Sequence, residues 1–430
     1  MLKPGYKQTD LGVLPEDWKI TELGKCLTQR PDYGINAPAV RYDPALPAYL
    51  RITDISENGQ FIREGGASVN HHASNDYVLA EGDIVLARTG ASVGKSYQYD
   101  PNDGQLVFAG FLIRVKTNPT KLNAKFLRYY LQTPAYWKWV LMTSMRSGQP
   151  GINGNEYALL PIPLPPPAEQ RAIADALGAV DALLTQQREL LAKKRALKQA
   201  TQQTLLSKEK RLPGFEGEWK EGEIGNLALK VGSGITPTGG VKVYQESGRP
   251  FVRSQNVGWG RLILDDISYI SEEIHNAFNS TEIQQNDVLL NITGASIGRA
   301  AVADYRIVKG NVNQHVCIIR VNNDRLCPFY LCHFLISHAG QEIIQSFQAG
   351  GNRQGLNFAQ IKTISIPLPT LDEQRAIATI LSDMDAELET LAAQIEKTQA
   401  LKQGMMQNLL TGAIRLVPTG GGAAIPTSSL

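Results

Sequence analysis

Apolar residues recur at alternating steps of four and three in two long stretches of the chain, which is the spacing of one face of a helix. The first stretch, 168–207, contains no proline and one glycine. Its repeating positions are Ile173, Leu177, Val180, Leu184, Gln187, Leu191 and Lys194. The second stretch keeps the same register at Ile377, Leu381, Met384, Leu388, Leu391, Ile395 and Thr398. About forty helical residues would span about 60 Å, and such a helix needs a partner to bury its apolar stripe.

A different pattern precedes each helix. Segments 82–89 and 286–293 are rich in β-branched residues and bounded by Gly, Asn or Asp, which predicts short strands. Proline-rich joints follow at 161–167 and 366–370, and proline disfavours helix at the residue before it. The sequence therefore predicts an α+β fold in which a mixed α/β head, an extended joint and a long helix occur twice.

The two halves are copies of one another. Residues 160–177 read LPIPLPPPAEQRAIADAL and residues 364–381 read ISIPLPTLDEQRAIATIL, with eleven of eighteen positions identical. The same shift of 204 residues carries LARTGASVGK (86–95) onto LNITGASIGR (290–299). A period this long indicates a tandem domain duplication, because solenoid repeats are far shorter.

The two predicted helices carry opposite charge. Residues 168–212 hold nine Lys or Arg against five Asp or Glu, whereas residues 372–416 hold four against seven. Opposite charge favours pairing of the two helices within the chain, although each surface ion pair adds little energy. We expect an antiparallel coiled coil with pseudo-twofold symmetry and a head at each end. The alternative is that the charges drifted on solvated faces.

Composition narrows the class of protein. The 430 residues suggest two or three domains, and no apolar run reaches the 18 residues of a membrane span. The first residues, MLKPGYKQTDLG, lack the apolar region of a secretory signal. Four cysteines do not make a disulfide framework, so we expect a cytoplasmic protein. The net charge of +2 neither supports nor excludes nucleic acid, because a local basic face can lie within a balanced total.

Two similar heads on a rigid spacer suit a target with two half-sites. Duplex DNA is the obvious candidate, since symmetric readers place recognition elements about one helical turn, roughly 34 Å, apart or at multiples of it. The heads are similar but not identical, so the expected DNA site is asymmetric.

Nearly the whole chain resembles the specificity subunit of type I restriction–modification systems. The resemblance is carried by LPEDWKITELG (14–24), GFEGEWKEGEIG (214–225), the TGASVGK and TGASIGR motifs, GQPGIN with RQGLN, and the two proline-rich joints. It implies two target-recognition domains that each read half of a bipartite DNA site. It also implies helices that set the spacer and dock two methyltransferase subunits, through which motor-endonuclease subunits join. The subunit itself would catalyse nothing.

The resemblance, with the patterns above, predicts five segments. Target-recognition domain 1 is expected at 1–164 and the first spacer helix at 165–212. Target-recognition domain 2 is expected at 213–368 and the second spacer helix at 369–416. A flexible tail, rich in Gly, Pro and Ser, is expected at 417–430.

The residues themselves also argue against an enzyme. The chain has no Asn/Asp-Pro-Pro-aromatic motif, and GASVGKS (90–96) lacks the first glycine of a phosphate loop because Thr89 stands there. Cys327, Cys332 and His333 have no second pair of ligands for zinc, and buried thiols in a helix are the stronger interpretation. We therefore expect no cofactor and no metal. The alternatives are an unrecognised nuclease, a specificity subunit of a related system with fused methylation and cleavage, and a coiled-coil scaffold without DNA.

Polar and basic residues at recurring loops are the DNA-binding candidates, because such side chains read base edges and phosphates. Three features supply them: the Thr-Gly-Ala-Ser turn, the Gly-Gln loop, and a third matched pair formed by segments 51–53 and 253–256. The difference between Arg88 and Asn291 is what base readers would show, while structural hydrogen bonding in the turn is the alternative. Tyr33 could stack on DNA or belong to a core. The candidates are Arg51, Thr53, Arg88, Thr89, Ser92, Lys95, Arg146, Gln149, Asn153, Arg253, Gln255, Asn256, Asn291, Thr293, Ser296, Arg299, Arg353, Gln354 and Asn357.

The repeated helix starts are the candidate docking surface for the two methyltransferases, because two equivalent partners demand two equivalent sites. An ordinary exposed first turn with helix-dipole benefit is the alternative. The docking candidates are Glu169, Gln170, Arg171, Glu373, Gln374 and Arg375.

Overall fold

The computed structural model describes residues 4–145, 150–207, 209–348 and 355–416. The chain divides into two units, the first made of 1–186 with 395–430 and the second of 187–394. Each unit contains one head together with parts of both long helices.

Short strands and helices form the head of the first unit. In chain order they are β1 (Tyr6–Thr9), β2 (Gly12–Pro15), β3 (Lys19–Glu22), β4 (Asp32–Tyr33), β5 (Val40–Arg41), β6 (Ala48–Leu50), β7 (Ala67–Ser68), β8 (Asp83–Ala87), β9 (Ser96–Gln98), β10 (Leu106–Phe108), β11 (Leu112–Lys116), α1 (Ala124–Tyr130), α2 (Pro134–Ser144), α3 (Gly154–Ala158) and β12 (Pro161–Leu164). The strands pair in the orders β4-β11-β8-β9, β10-β6-β7-β5, β1-β2 and β12-β3.

Strand β8 lies between two cores of this head. Successive side chains of a strand point to opposite faces. Ile84 and Leu86 accordingly pack into the core that contains α1, whereas Val85 and Ala87 pack against β6 and β10. Burial on both faces explains why residues 84–87 are continuously apolar rather than alternating.

The second unit repeats this architecture. Its elements are β13 (Lys220–Glu223), α5 (Ile224–Leu227), β14 (Ala228–Ser233), β15 (Arg249–Val252), β16 (Ser268–Ile270), α6 (Glu272–Ala277), β17 (Val288–Asn291), β18 (Ala300–Val302), β19 (Asn311–Val312), β20 (Val316–Val321), α7 (Pro328–Ile336), α8 (His338–Ser346), α9 (Phe358–Thr363) and β21 (Ser365–Leu368). The strand orders are β14-β20-β17-β18, β16-β15-β19 and β13-β21. Strand β17 again separates two cores, since Val288 and Leu290 face one and Leu289 the other.

The two long helices run over Pro167–Leu206 and Leu371–Leu409, here called α4 and α10. (In chain order α4 follows β12 and α10 follows β21.) Their predicted stripe is buried or half-buried at every position. Lys194 pairs with Glu387 at 2.5 Å and Lys198 pairs with Asp385, both within the second unit. Lower-numbered residues of α4 meet higher-numbered residues of α10, which is antiparallel order. A coiled coil over the full length of both helices stays a prediction.

Candidate nucleic-acid interface

In each head a central strand ends in a tight turn with the repeated Thr-Gly-Ala-Ser sequence. β8 is followed by a 3₁₀ turn at Gly90–Ser92, and β17 by the same turn at Gly294–Ser296. Gly90 and Gly294 both have a φ of 71°, a left-handed conformation that favours glycine. A Cβ at either position would meet none of the described atoms within 4 Å. The turn therefore requires glycine for its backbone conformation and leaves open space beside it.

The second candidate loop meets this turn in both heads. The Ile152 amide donates to the Arg88 carbonyl at 2.9 Å, and the Leu356 amide donates to the Ile292 carbonyl at 2.8 Å. Residues 152 and 356 lie near the ends of the GQPGIN and RQGLN motifs. The fold therefore brings together the ends of two loops that the sequence indicated separately. The four candidates Arg146, Gln149, Arg353 and Gln354 lie outside the described residues.

These hydrogen bonds also correct one residue pairing. Arg88 occupies the backbone position of Ile292, as the shift of 204 residues also implies, and not that of Asn291, with which it is paired among the candidate base readers. Asn291 is fully buried, and its Nδ2 donates to the Ser254 carbonyl at 2.8 Å. Its side chain therefore serves the fold of the second head, and a DNA contact by Asn291 stays a prediction.

Asn153 and Asn357 begin short helices that follow the second loop. The Asn153 Oδ1 accepts from the Glu156 amide at 3.0 Å, and the Glu156 carboxylate accepts from the Asn153 amide at 2.8 Å. Asn357 and Gln360 form the same capping box at 2.9 and 3.0 Å. Both asparagines are exposed, so capping occupies their carbonyl oxygen while the side-chain amide faces solvent.

A cation and an aromatic ring stand beside the turn of the first head. The Arg88 guanidinium lies 4.8 Å from the centroid of the Tyr33 ring. The Tyr33 hydroxyl accepts a hydrogen bond from the Gly154 amide at 3.0 Å, while 41% of the residue remains exposed. Tyr33 is thus part of the surface that contains the turn, not of a core.

The second head has a different pair at this place. Thr293 Oγ1 and His315 Nδ1 are 2.6 Å apart. The His315 carbonyl accepts from the Ile292 amide at 3.0 Å, just as the Phe111 carbonyl accepts from the Arg88 amide at 3.0 Å. Phe111 and His315 are not among the DNA-binding candidates that the sequence indicated. The shift of 204 residues that revealed the repeat also aligns these two positions, and that signal could have found them.

The equivalent basic candidates beside the two turns, Lys95 and Arg299, differ in whether an acidic side chain compensates their charge. Lys95 pairs with Glu57 at 2.6 Å, and its side chain is 19% exposed. The Arg299 side chain is half-buried, and it makes no hydrogen bond or ion pair with the described residues. Thr89, Ser92 and Ser296 are half-exposed beside them.

The third candidate segment of the first head is tied to a carboxylate. Arg51 donates to Asp54 through Nε at 2.8 Å and a terminal nitrogen at 2.7 Å, which raises the pKa of the guanidinium. Thr53 Oγ1 lies 3.2 Å from the same carboxylate. Asp54 is buried, so the positive charge of Arg51 compensates the Asp54 carboxylate within the protein, with or without a bound ligand.

The matching segment of the second head is organised by Asp266. The Arg253 guanidinium donates to the Asp266 carbonyl at 3.0 Å, and Gln255 donates to the Asp266 carboxylate. Asn256 is fully buried and donates to the same carboxylate at 3.1 Å. Asn256, like Asn291, therefore has an internal role in this structure.

The start of α4 is anchored inside the first unit. Glu169 is 1% exposed and accepts from Trp18 Nε1 at 3.0 Å and from Arg415 Nε at 2.7 Å. Gln170 is equally buried, and its Oε1 accepts from the Asn123 amide at 2.8 Å. Of the three candidate docking residues here, Arg171 is the exposed one.

The start of α10 repeats this arrangement in the second unit. Glu373 is fully buried, with Arg211 and Trp219 as donors. Gln374 accepts from the Cys327 amide at 2.8 Å, and Arg375 is exposed. Internal anchoring thus explains why Glu-Gln is retained in both copies, while Arg171 and Arg375 are exposed.

No cluster of three or more His, Cys, Asp or Glu side chains within the described ranges could hold a metal ion. Cys332 and His333 lie in α7 and are packed in a core or against it. Burial raises the pKa of Cys332 to about 12 and lowers that of His333 to about 4. These groups are neutral parts of the interior.

Comparison with known proteins identifies the architecture. The family described as the type I restriction modification DNA specificity domain matches residues 49–193 and 216–398, more than half of the chain. The chain belongs to this family. The putative type I restriction enzyme MjaX specificity subunit of Methanocaldococcus jannaschii is 25% identical, over 96% of this chain and 97% of that protein. The EcoKI specificity subunit of Escherichia coli K12 is 23% identical, over 94% and 90%.

Solved structures share the fold. The S subunit of a type I restriction–modification system from M. genitalium matches with a TM-score of 0.61 and 15% identity, over 95% of this chain and 99% of that one. A second match is a chain from a structural study of complex assembly and conformational transition of the type I R-M system. It has a TM-score of 0.52 and 19% identity, over 93% of this chain and 99% of that one. The predicted tandem α+β fold is confirmed. Over the described residues, no helix is long and apolar enough to cross a membrane.

Proposed function

We propose that this specificity-family chain reads an asymmetric bipartite DNA site with its two heads and recruits the subunits that methylate and cleave. Each head would be a target-recognition domain for one half-site, and α4 with α10 would set the unread spacer. The proposed boundaries are those predicted from the sequence, at 1–164, 165–212, 213–368 and 369–416, with the tail at 417–430.

One observation carries the proposal: both heads build the same backbone frame and place different side chains on it. Turns 90–92 and 294–296 share their conformation, and each meets the second loop through the same hydrogen bond. At equivalent positions the frame of the first head carries Arg88 and Phe111, whereas that of the second carries Ile292 and His315. A shared frame with divergent side chains supports positional contacts that are common and base contacts that differ.

The contact surface that we propose comprises the exposed or half-exposed candidates at these loops. They are Thr89, Ser92, Thr293, Ser296, Arg88, Lys95, Arg299, Asn153 and Asn357, with Arg146, Gln149, Arg353 and Gln354 from outside the described ranges. Arg51, Thr53, Arg253 and Gln255 would contact DNA while remaining tied to their carboxylates. We leave out Asn256 and Asn291, because a buried side chain with internal partners does not reach a base edge.

Recruitment belongs to the same proposal. Two methyltransferase subunits would dock on the proline joints and on the exposed faces of the helix starts, at Arg171 and Arg375, with motor-endonuclease subunits joining through them. The buried Glu169, Gln170, Glu373 and Gln374 would act through the shape of these helix starts. The chain itself would catalyse nothing, require no cofactor and act in the cytoplasm.

A methylome of the source cell, with and without this chain, tests the proposal. Loss of one asymmetric, bipartite N6-methyladenine motif on deletion is the expected result. Replacing residues 15–160 by the head of a relative should then change one half of the motif. An unchanged methylome, together with purified chain that binds DNA without a steep dependence on salt, would contradict DNA reading and favour a scaffold. The comparisons favour neither the scaffold nor a system with fused subunits.

A further inference from the structure

The loop between two sheet strands differs completely between the heads while its backbone stays the same. It joins β10 to β11 as Ala109-Gly110-Phe111, and β19 to β20 as Asn313-Gln314-His315. In both heads the loop is closed by a hydrogen bond to its first carbonyl, at 2.9 Å from Leu112 and 3.3 Å from Val316. One loop is apolar and the other carries amides and an imidazole at equivalent positions.

This loop touches the Thr-Gly-Ala-Ser segment directly. The carbonyls of Phe111 and His315 accept from the amides of Arg88 and Ile292, each at 3.0 Å. The positions of 111 and 315 are therefore fixed relative to a turn that both heads share. Differences between the two side chains are chemical and do not come from a different path of the chain.

The side chains at these positions are available to a ligand. Phe111 is 61% exposed, so its ring faces solvent beside the shared turn. Gln314 is exposed, and its Nε2 lies 3.4 Å from His315 Nε2. The contact between His315 Nδ1 and Thr293 Oγ1, at 2.6 Å, holds the ring and so the place of the neighbouring amide.

We propose that Phe111 and Gln314 are specificity-determining residues, Phe111 reading a thymine in the first half-site and Gln314 an adenine in the second. This inference rests on the proposed function and adds the base class that each head recognises. An exposed phenyl ring has no hydrogen bond to offer and matches the methyl group of thymine, whereas a carboxamide matches the paired donor and acceptor of adenine. His315 is a positioning residue that holds Gln314 in place.

The test exchanges the two loops within the full-length chain. One variant carries Gly110→Gln with Phe111→His, and the other carries Gln314→Gly with His315→Phe. The first exchange is sterically allowed, because a Cβ at Gly110 would lie 3.4 Å from the nearest atom, the Ile35 carbonyl oxygen. Each protein is used to select duplexes from a randomised library, and the selected pools are sequenced. Tyr305→Ala is the matched control, since Tyr305 is 81% exposed but lies beyond the far end of β18 from the turn.

The expected result is a change at one base pair of one half-site in each exchange, with the other half-site and the Tyr305 variant unchanged. Discrimination at the changed position should shift by about 5- to 150-fold, the effect of one mismatched base pair. If the wild-type chain selects no bipartite motif, the proposed function fails. If it selects one and neither exchange alters it, this inference alone is wrong.

Single substitutions keep the test decisive where an exchange does not fold. Phe111→Leu retains an apolar contact and should keep the thymine preference, whereas Phe111→Ser should lose it. Gln314→Ala should make the adenine position degenerate. Identical motifs from Phe111→Leu, Phe111→Ser and Gln314→Ala, all folded by circular dichroism, would overturn the proposal.

Discussion

The Glu169 carboxylate accepts hydrogen bonds from Nε and a terminal nitrogen of Arg415 at 2.7 and 2.8 Å, although 246 residues separate the two along the chain. The second unit repeats this relationship between Glu373 and Arg211. In each unit the arginine follows the end of one long helix and the glutamate belongs to the start of the other. The helix starts are thus anchored by parts of the chain that are remote in sequence.

Loss of this anchor should destabilise the first unit. Arg415→Ala leaves a carboxylate that is 1% exposed with Trp18 as its remaining donor, so we expect a loss of about 3 kcal/mol in the free energy of unfolding. Urea unfolding measures it. Arg375→Ala is the control, because its partner Asp372 is largely exposed and the pair should contribute less than about 1 kcal/mol. Equal losses in the two variants would contradict a buried anchor.

Buried His333 should make the second unit sensitive to acid. Burial lowers its pKa from 6.5 to about 4, so the unfolded chain takes up a proton at a higher pH than the folded one. Stability is then unaffected above pH 6.5, falls as the pH drops towards 4, and changes no further below that. The loss between pH 7 and pH 5 should be about 2 kcal/mol, measured by urea unfolding.

His333→Gln provides the control for that titration, since glutamine is neutral at every pH. The variant should lose the decline that begins at pH 6.5, whatever its stability at pH 7. A decline that persists unchanged in His333→Gln would assign it to other groups.

Asn153 allows capping to be separated from DNA contact. Asn and Asp cap helices about equally well, so Asn153→Asp should change unfolding by a few tenths of a kcal/mol, whereas Asn153→Ala should lose about 1 kcal/mol. The new carboxylate would repel phosphate, so Asn153→Asp should weaken DNA binding in a titration of labelled duplex. If the Asn153→Asp variant binds DNA as tightly as the wild type, Asn153 acts only as a helix cap.

Arg88 is expected to read a base rather than a phosphate, because its counterpart Ile292 carries no charge. Arg88→Lys keeps the charge but loses the bidentate fork, so it should relax one position of the first half-site at a cost of about 1–3 kcal/mol. Binding to wild-type and mismatched duplexes at several salt concentrations measures this. A uniform loss for all duplexes in Arg88→Ala, with a salt slope smaller by about one, would instead indicate a phosphate contact.

Arg171 and Arg375 should matter for assembly and not for DNA. The double variant Arg171→Glu with Arg375→Glu should reduce association with the methyltransferase while leaving DNA binding by the chain unchanged. Co-purification and size-exclusion chromatography report the first effect, and duplex titration the second. Each single variant should lose one of two partner copies. Full assembly by the double variant would place the docking surface elsewhere.

Periodicity and the internal repeat were enough to predict the two heads, the two long helices and which helix positions are buried. The reason is that these features depend on local spacing: residues three and four apart share a helix face, and a duplicated sequence folds twice. The same repeat located the Thr-Gly-Ala-Ser turns, because a left-handed backbone favours glycine there in both copies.

The roles of individual polar residues depended on long-range packing. In Glu-Gln-Arg, two residues became internal anchors and one stayed exposed. Distant segments made this division: Trp18, Arg415, Arg211 and Trp219 donate to the glutamates, and the amides of Asn123 and Cys327 donate to the glutamines. Asn291 was buried by a loop 34 to 37 residues away, and Phe111 and His315 gained their place beside the turn through sheet pairing. Burial and hydrogen-bond partners arise from contacts between segments remote in sequence, and no local pattern records them. The sequence by itself therefore determined the two heads, the two long helices and the repeated turns. Tertiary contacts decided which of their polar side chains are exposed to a ligand.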